Sequence, residues 1–130
     1  MADRFPRQPL WAADSPTLTL TIDGVPPVPA LPVWVARTGR ERRQGLLGTD
    51  PIQGAVWLTK TGSVHCVGMR YPIDVLYLDR HCRVLRVSTM RPGVFWHVAP
   101  WGTRSVVEMC AGTAGALGIV RGRHLGFVAA

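Results

Sequence analysis

The sequence predicts a mainly β protein, a compact antiparallel β-sandwich or partly closed barrel carrying one or two short helices. Short apolar runs recur along the chain at close spacing, separated by turns rich in glycine and proline. Only two segments carry helix-start chemistry, and neither is long enough to cross back over a sheet, so no βαβ unit is expected. With 47% hydrophobic and 18% charged residues, the 130-residue chain has the composition of a folded domain. At that length it buries roughly two-thirds of its unfolded surface.

Residues 1–16 are polar, proline-containing and aperiodic, and are read as a flexible N-terminal arm; residues 17–130 are read as one β-rich domain. Thr17 to Ile22 alternates, with Leu18, Leu20 and Ile22 on one face, and the turn pair Asp23-Gly24 stops it. Four prolines between Val25 and Pro32 make an extended connector. Val33 to Ala36 is a short strand. Thr38 and Glu41 then stand at capping-box spacing, which predicts a helix through Arg40, Arg42 and Arg43 to Leu47, stopped at Gly48. Gly45 inside it costs helix stability, so something is expected to pack closely there.

Gly54 to Thr59 is another strand, followed by the turn Lys60-Thr61-Gly62. Ser63 to Val87 reads as strand, bend, strand, turn and strand, with Asp79 to Cys82 as a hairpin loop between Ile73–Leu78 and Arg83–Val87. On this reading His65 and Met69 share one face of the first of those strands. Met90 to Gly102 is a loop. Trp96 and Trp101 within it offer a stacking platform, although flanking prolines place Trp101 partly in the core. Arg104 to Cys110 is a strand, Thr113 caps one helical turn over Ala114 to Leu117, and a last strand covers about His124 to Val128.

The formal charge is +7, and Lys60 is the only lysine among fifteen Lys and Arg residues. Arginine suits planar anionic partners, but no long basic run is present, so a solvated surface is the favoured reading. Four arginines lie between Arg37 and Arg43 around a helix too short to enter a nucleic-acid groove. Nucleic acid is therefore disfavoured as a partner. Three well-separated cysteines, Cys66, Cys82 and Cys110, with no Cys-x-x-Cys pair, argue against a disulfide framework and for reduced thiols. Charges and prolines break the N-terminal run, so no signal peptide is expected. No stretch is long and apolar enough to span a bilayer. A cytoplasmic protein without membrane contact follows.

Asp74 lies in an otherwise apolar run and shares a face with Leu76 and Leu78, while Glu108 is embedded in Val-Val-Glu-Met-Cys. A carboxylate in such a place must find donors or have its pKa raised. The two could form an acid/base pair. With so many arginines, anchoring by Arg70 and Arg42 is the stronger reading. His65 could be a base, a ligand or a hydrogen-bonded core histidine. A metal set from His65, Cys66, His97 and Cys110 has no supporting spacing, so neither a metal nor a cofactor is expected. Gly112-Thr113-Ala114-Gly115 lacks a P-loop lysine, although an anion site at that helix start is conceivable.

Taken together, Ala36-Arg37-Thr38, Arg42 to Leu47, Gly68 to Asp79 (Gly-Met-Arg-Tyr-Pro-Ile-Asp-Val-Leu-Tyr-Leu-Asp), Val107-Glu108, Ala111-Gly112, and Gly118-Ile119 before Gly122 resemble the family called domain of unknown function 192. The match runs from about Val33 to Val128. The resemblance implies a small β sandwich or barrel with short helices, and it implies no activity. Gly68 stands where many members carry tryptophan. Cys82 replaces a turn glycine, so a tight two-residue turn is not expected there, and Arg123 replaces an aspartate.

The first functional reading is a small ligand-binding or structural domain, with Arg42, His65, Met69, Arg70, Asp74 and Glu108 around one pocket beside the Met-Arg-Tyr-Pro-Ile-Asp strand. Its partner would be a small molecule or a protein. A hydrolase or isomerase using Asp74 with Glu108 or His65 ranks second, and arginine-mediated anion or nucleic-acid binding third.

Overall fold

The structure, a computed structural model, describes residue 11 and residues 18–46, 49–64, 69–93 and 97–130. The alternating Leu-Thr-Leu-Thr-Ile run forms β1 (Leu18–Ile22), and the last of the four prolines opens β2 (Pro32–Ala36). Helix α1 (Gly39–Gln44) starts on the expected capping box: Thr38 Oγ1 accepts from Glu41 N–H at 3.1 Å, and Glu41 Oε1 accepts from Thr38 N–H at 2.9 Å. It ends three residues earlier than expected. Gly45 takes φ +46°, a conformation that L side chains avoid, and breaks the helix there.

Next come β3 (Ala55–Leu58), β4 (Ser63–Val64), β5 (Ile73–Leu78), β6 (Val84–Met90), β7 (His97–Val98) and β8 (Ser105–Cys110). The single helical turn α2 (Thr113–Ala116) and β9 (Leu125–Ala129) complete the chain. Seven strands make one curled sheet in the order β6-β5-β8-β3-β2-β1-β9, while β4 and β7 form a separate ribbon. Of the strand expected around His65 and Met69, Ser63–Val64 forms β4, and residues 65–68 lie outside the described ones.

One neighbouring pair departs from the antiparallel expectation: β2 and β3 run parallel. The link from Arg37 to Gly54 is long enough for a crossover, and α1 with its following loop supplies it. The sheet then curls until its edge strands meet. Arg83 bridges His124, Val84 N–H donates to Arg123 O, and Gly122 N–H donates to Val84 O, both at 2.9 Å. Beyond that end no bonds join β6 to β9 among the described residues. The result is a half-barrel with a seam, the barrel alternative of the sequence reading.

Each face of the sheet carries its own core. Leu20, Val33, Leu76, Leu78, Val107, Met109 and Leu125 fill the face toward which α2 packs Ala114, with Ile119 beside them. Val56, Leu58, Ile73, Val75, Tyr77 and Val106 fill the other, covered by Leu46, Met69 and Trp11. Trp11 comes from the segment read as an arm, yet it is only 6% exposed. Its indole N–H donates to Gly45 O at 2.8 Å, and its ring lies 5.5 Å from that of Trp34.

Candidate functional site

Register decides how the six candidate residues are distributed. Asp74 stands opposite Met109 on β8 and Thr89 on β6, whereas Glu108 stands opposite Val75 on β5 and Val56 on β3. Directly opposed residues share a face, and consecutive ones do not. Asp74 and Glu108 therefore point to opposite sides of the sheet, and the acid/base pair expected of them is not formed.

Among the described residues, neither carboxylate is held by an arginine. Asp74 is 3% exposed and accepts three hydrogen bonds: Thr89 Oγ1 donates to its Oδ1 at 2.8 Å, and Gly112 N–H and Ala114 N–H donate to its Oδ2 at 2.9 and 3.1 Å. Two of those donors are backbone groups at the start of α2, so Asp74 ties this turn across β8 to β5. Arg70, expected to be its partner, instead bridges the Asp50 carboxylate at 3.0 Å on the surface. Glu108, 4% exposed, accepts only from Leu46 N–H, at 3.0 Å, among the described residues. Burial pushes its carboxyl up to about 7, with the Leu46 bond offsetting this in part. Arg42 donates instead to the carbonyl of Arg37.

The close packing expected at Gly45 is present, and its cause is Glu108. A Cβ on Gly45 would collide with Glu108 Oε1. Met69 is buried in the core on the Glu108 face of the sheet and adds no soft edge to a pocket. His65 and Cys66 lie outside the described residues, and among those residues no three metal-ligating side chains gather.

A cleft of about 860 Å³ opens beside Asp74, against Leu85, Val87 and Thr89 of β6. The α2 turn and the segment Ile119-Val120-Arg121 line it as well, as do Arg86, Pro100 and Trp101. Trp101, expected to be partly core, is 98% exposed, and Val120 is 57% exposed. The turn Pro100-Trp101-Gly102 is held by its own backbone and by Thr103, which donates to Pro100 O, so packing of the indole is not needed to order it.

The backbone edge beside this cleft can be read from β5. Pro72 O accepts from Ala111 N–H on the β8 side, and Asp79 N–H donates to Arg83 O on the β6 side. Counting by twos between them, Asp74 and Leu76 bond toward β8, while Ile73, Val75 and Tyr77 bond toward β6. Val87 and Thr89, which oppose Leu76 and Asp74, therefore turn their N–H and C=O groups outward, away from β5. Val84 does the same, and Gly122 and Arg123 occupy its groups. No described residue occupies those of Val87 and Thr89.

Fold and site thus define a half-barrel protein with an open seam and a cleft along one strand edge. The chain belongs to the domain of unknown function 192 family (DUF192, "Uncharacterized ACR"), whose model matches residues 19–127. A crystal structure of a protein of unknown function from Novosphingobium aromaticivorans is similar, with a TM-score of 0.73, 19% identity and 83% of each chain covered. A second, from Sinorhizobium meliloti, is described as a "putative transcription regulator". It has a TM-score of 0.74 at 15% identity, covering 88% of this chain and 96% of that one. At these identities the likeness concerns the fold. No curated protein matches the chain.

Proposed function

We propose that this protein is a peptide-binding domain that accepts an extended, acidic segment of a partner protein as an added strand along β6. The observation that carries the reading is the outward-facing backbone of Val87 and Thr89 at the side of an open cleft of about 860 Å³. Strand addition supplies main-chain hydrogen bonds, and alternate side chains of the incoming segment set specificity. The exposed Trp101 and Val120 offer apolar contacts for one set of side chains. Arg86, which the register puts on the other face of β6 with its guanidinium over the Tyr77 ring, favours acids in the other set.

Charge also argues against a second copy as the occupant. The chain carries +7, and edge-to-edge pairing of two β6 strands would bring two copies of that charge together. Acid/base catalysis by Asp74 with Glu108 is not proposed, because a sheet separates them and three donors already occupy Asp74. Among the described residues no helix is long and apolar enough to cross a membrane. The free thiols of Cys82 and Cys110 support a reducing compartment, the cytoplasm.

The test is titration calorimetry with a capped hexapeptide alternating valine and glutamate. Val87→Pro removes an N–H that the sheet does not use, and proline is tolerated on an edge strand at such a position. The reading expects binding to the native chain, loss of about tenfold in affinity with Val87→Pro at unchanged secondary structure, and weakening by added salt. Equal affinity of the native chain and Val87→Pro refutes strand addition, and concentration-dependent dimerisation in place of peptide binding would make the occupant a second copy.

A further inference from the structure

On the face of the sheet opposite the cleft, Glu108 lines a separate cavity of about 310 Å³. Arg42 and Arg43 of α1 line it too, as do Lys60 and Thr61 from the turn after β3. Two features set this cavity apart from ordinary packing. First, Glu108 is nine-tenths buried or more, and of its two oxygens only Oε1 receives a donor among the described residues, so Oε2 is left for the cavity. Second, none of Arg42, Arg43 and Lys60 forms an ion pair with a carboxylate among the described residues. None of the three is within ion-pair distance of Glu108, although all line the same cavity.

We propose that this cavity is a proton-linked binding site for a small oxyanion, such as a carboxylate or a phosphate or sulfate group. The cations hold the anion's charge, and protonated Glu108 donates its O–H to one of the anion's oxygens. Ionised Glu108 would repel the same oxygen. Anion binding therefore holds the proton on Glu108, and above neutral pH each anion bound takes up one proton. The charged groups around the carboxyl are Arg42 and Arg43 from α1 and Lys60 from the turn. Among the described residues, the titratable groups on this side are Tyr71 just before β5, Tyr77 of β5 and Cys110 of β8, and burial pushes the Tyr71 phenol up, away from neutrality. This site is independent of the β6 cleft, and failure of either reading leaves the other standing.

Sulfate is the probe, because its own charge is constant across the range. Titration calorimetry of the full chain between pH 5.5 and 8.5, at ionic strength held constant with chloride, should show affinity falling about tenfold per pH unit above neutrality. Heats should vary with the buffer's ionisation enthalpy as proton uptake requires. Glu108→Gln should bind sulfate with no such slope, Arg42→Ala with Arg43→Ala should weaken binding at every pH, and Val87→Pro should bind as the native chain does. Should Glu108→Gln fail to fold, carboxyl carbon NMR of the native protein decides the matter. The chain has only two glutamates, Glu41 and Glu108, and sulfate should move the Glu108 titration upward and leave Glu41 unmoved. Absence of sulfate binding, a pH slope retained in Glu108→Gln, or a Glu108 titration unmoved by sulfate would overturn the proposal.

Discussion

Replacing Asp74 by alanine tests what this carboxylate does, and the cost follows from its three donors. Thr89 and Gly112 are exposed residues, so the hydroxyl and the Gly112 N–H can turn to water, and losing Asp74 costs about 1 kcal/mol between them. Ala114 is 2% exposed, so its N–H is orphaned in the core, at a cost of about 1–3 kcal/mol. The sum is about 3 kcal/mol, a large share of the roughly 5–15 kcal/mol that stabilises a domain. For a chain of this length that lowers the melting temperature by about 10–15 °C. Asp74→Asn keeps one acceptor oxygen and should lose about half as much. Urea titration and thermal melts followed by circular dichroism measure both. A melting point for Asp74→Ala within about 2 °C of the native value would refute the role of Asp74 as the anchor of α2.

Further outcomes follow, most of them from the other face of the sheet. Gly45→Ala puts a Cβ into Glu108 Oε1 and an L side chain at φ +46°, and should destabilise by about 3 kcal/mol in urea titration, well beyond an ordinary surface change. Glu108 sits at about 7 folded against 4.5 unfolded, so its contribution to stability is complete below pH 4.5 and is lost as pH rises to 7; (7 − 4.5) × 1.36 makes the loss about 3 kcal/mol. Glu108→Gln should remove that fall between pH 5 and 7, and parallel profiles for native and variant would contradict it. Asp23, held low by the Arg123 side chain, and Glu41, held low by Thr38 N–H, act the other way and in a more acidic window, where stability falls as pH drops. Trp11→Phe keeps most of the packing on Trp34 but loses the bond to Gly45 O, at about 1 kcal/mol in the same titrations.

What could be read from the sequence was what local chemistry decides. Thr38 and Glu41 announced the start of α1 because both bonds of a capping box close within one turn. Asp74 could be put on the face of Leu76 and Leu78 because side chains alternate along a strand. The close neighbour at Gly45 was legible as an expectation, but its identity was not, since Glu108 reaches it only through the curl of the sheet. That Asp74 and Glu108 face apart depends on the β5–β8 register, where a slip of one residue would have put them together. The parallel pairing of β2 and β3 and the exposure of Trp101 are likewise set by long-range packing. At Cys82 the missing turn glycine leaves the hairpin in place: Cys82 takes φ +62° itself, and Asp79 Oδ1 accepts from His81 N–H and Arg83 N–H to hold the loop. The free edge of β6 was hidden for a similar reason, because a bulge opposite Tyr77 and Leu78 shifts which of its residues face outward.

Amide hydrogen exchange at Val87 and Thr89, read by NMR with and without the valine–glutamate peptide, tests the central claim most directly. Both amides point out of the sheet beside the cleft, so they should exchange fast in the free protein and slow by at least about tenfold when the peptide is bound, while Ser88 between them changes little. A peptide that binds and leaves Val87 and Thr89 exchanging as before would contradict strand addition along β6.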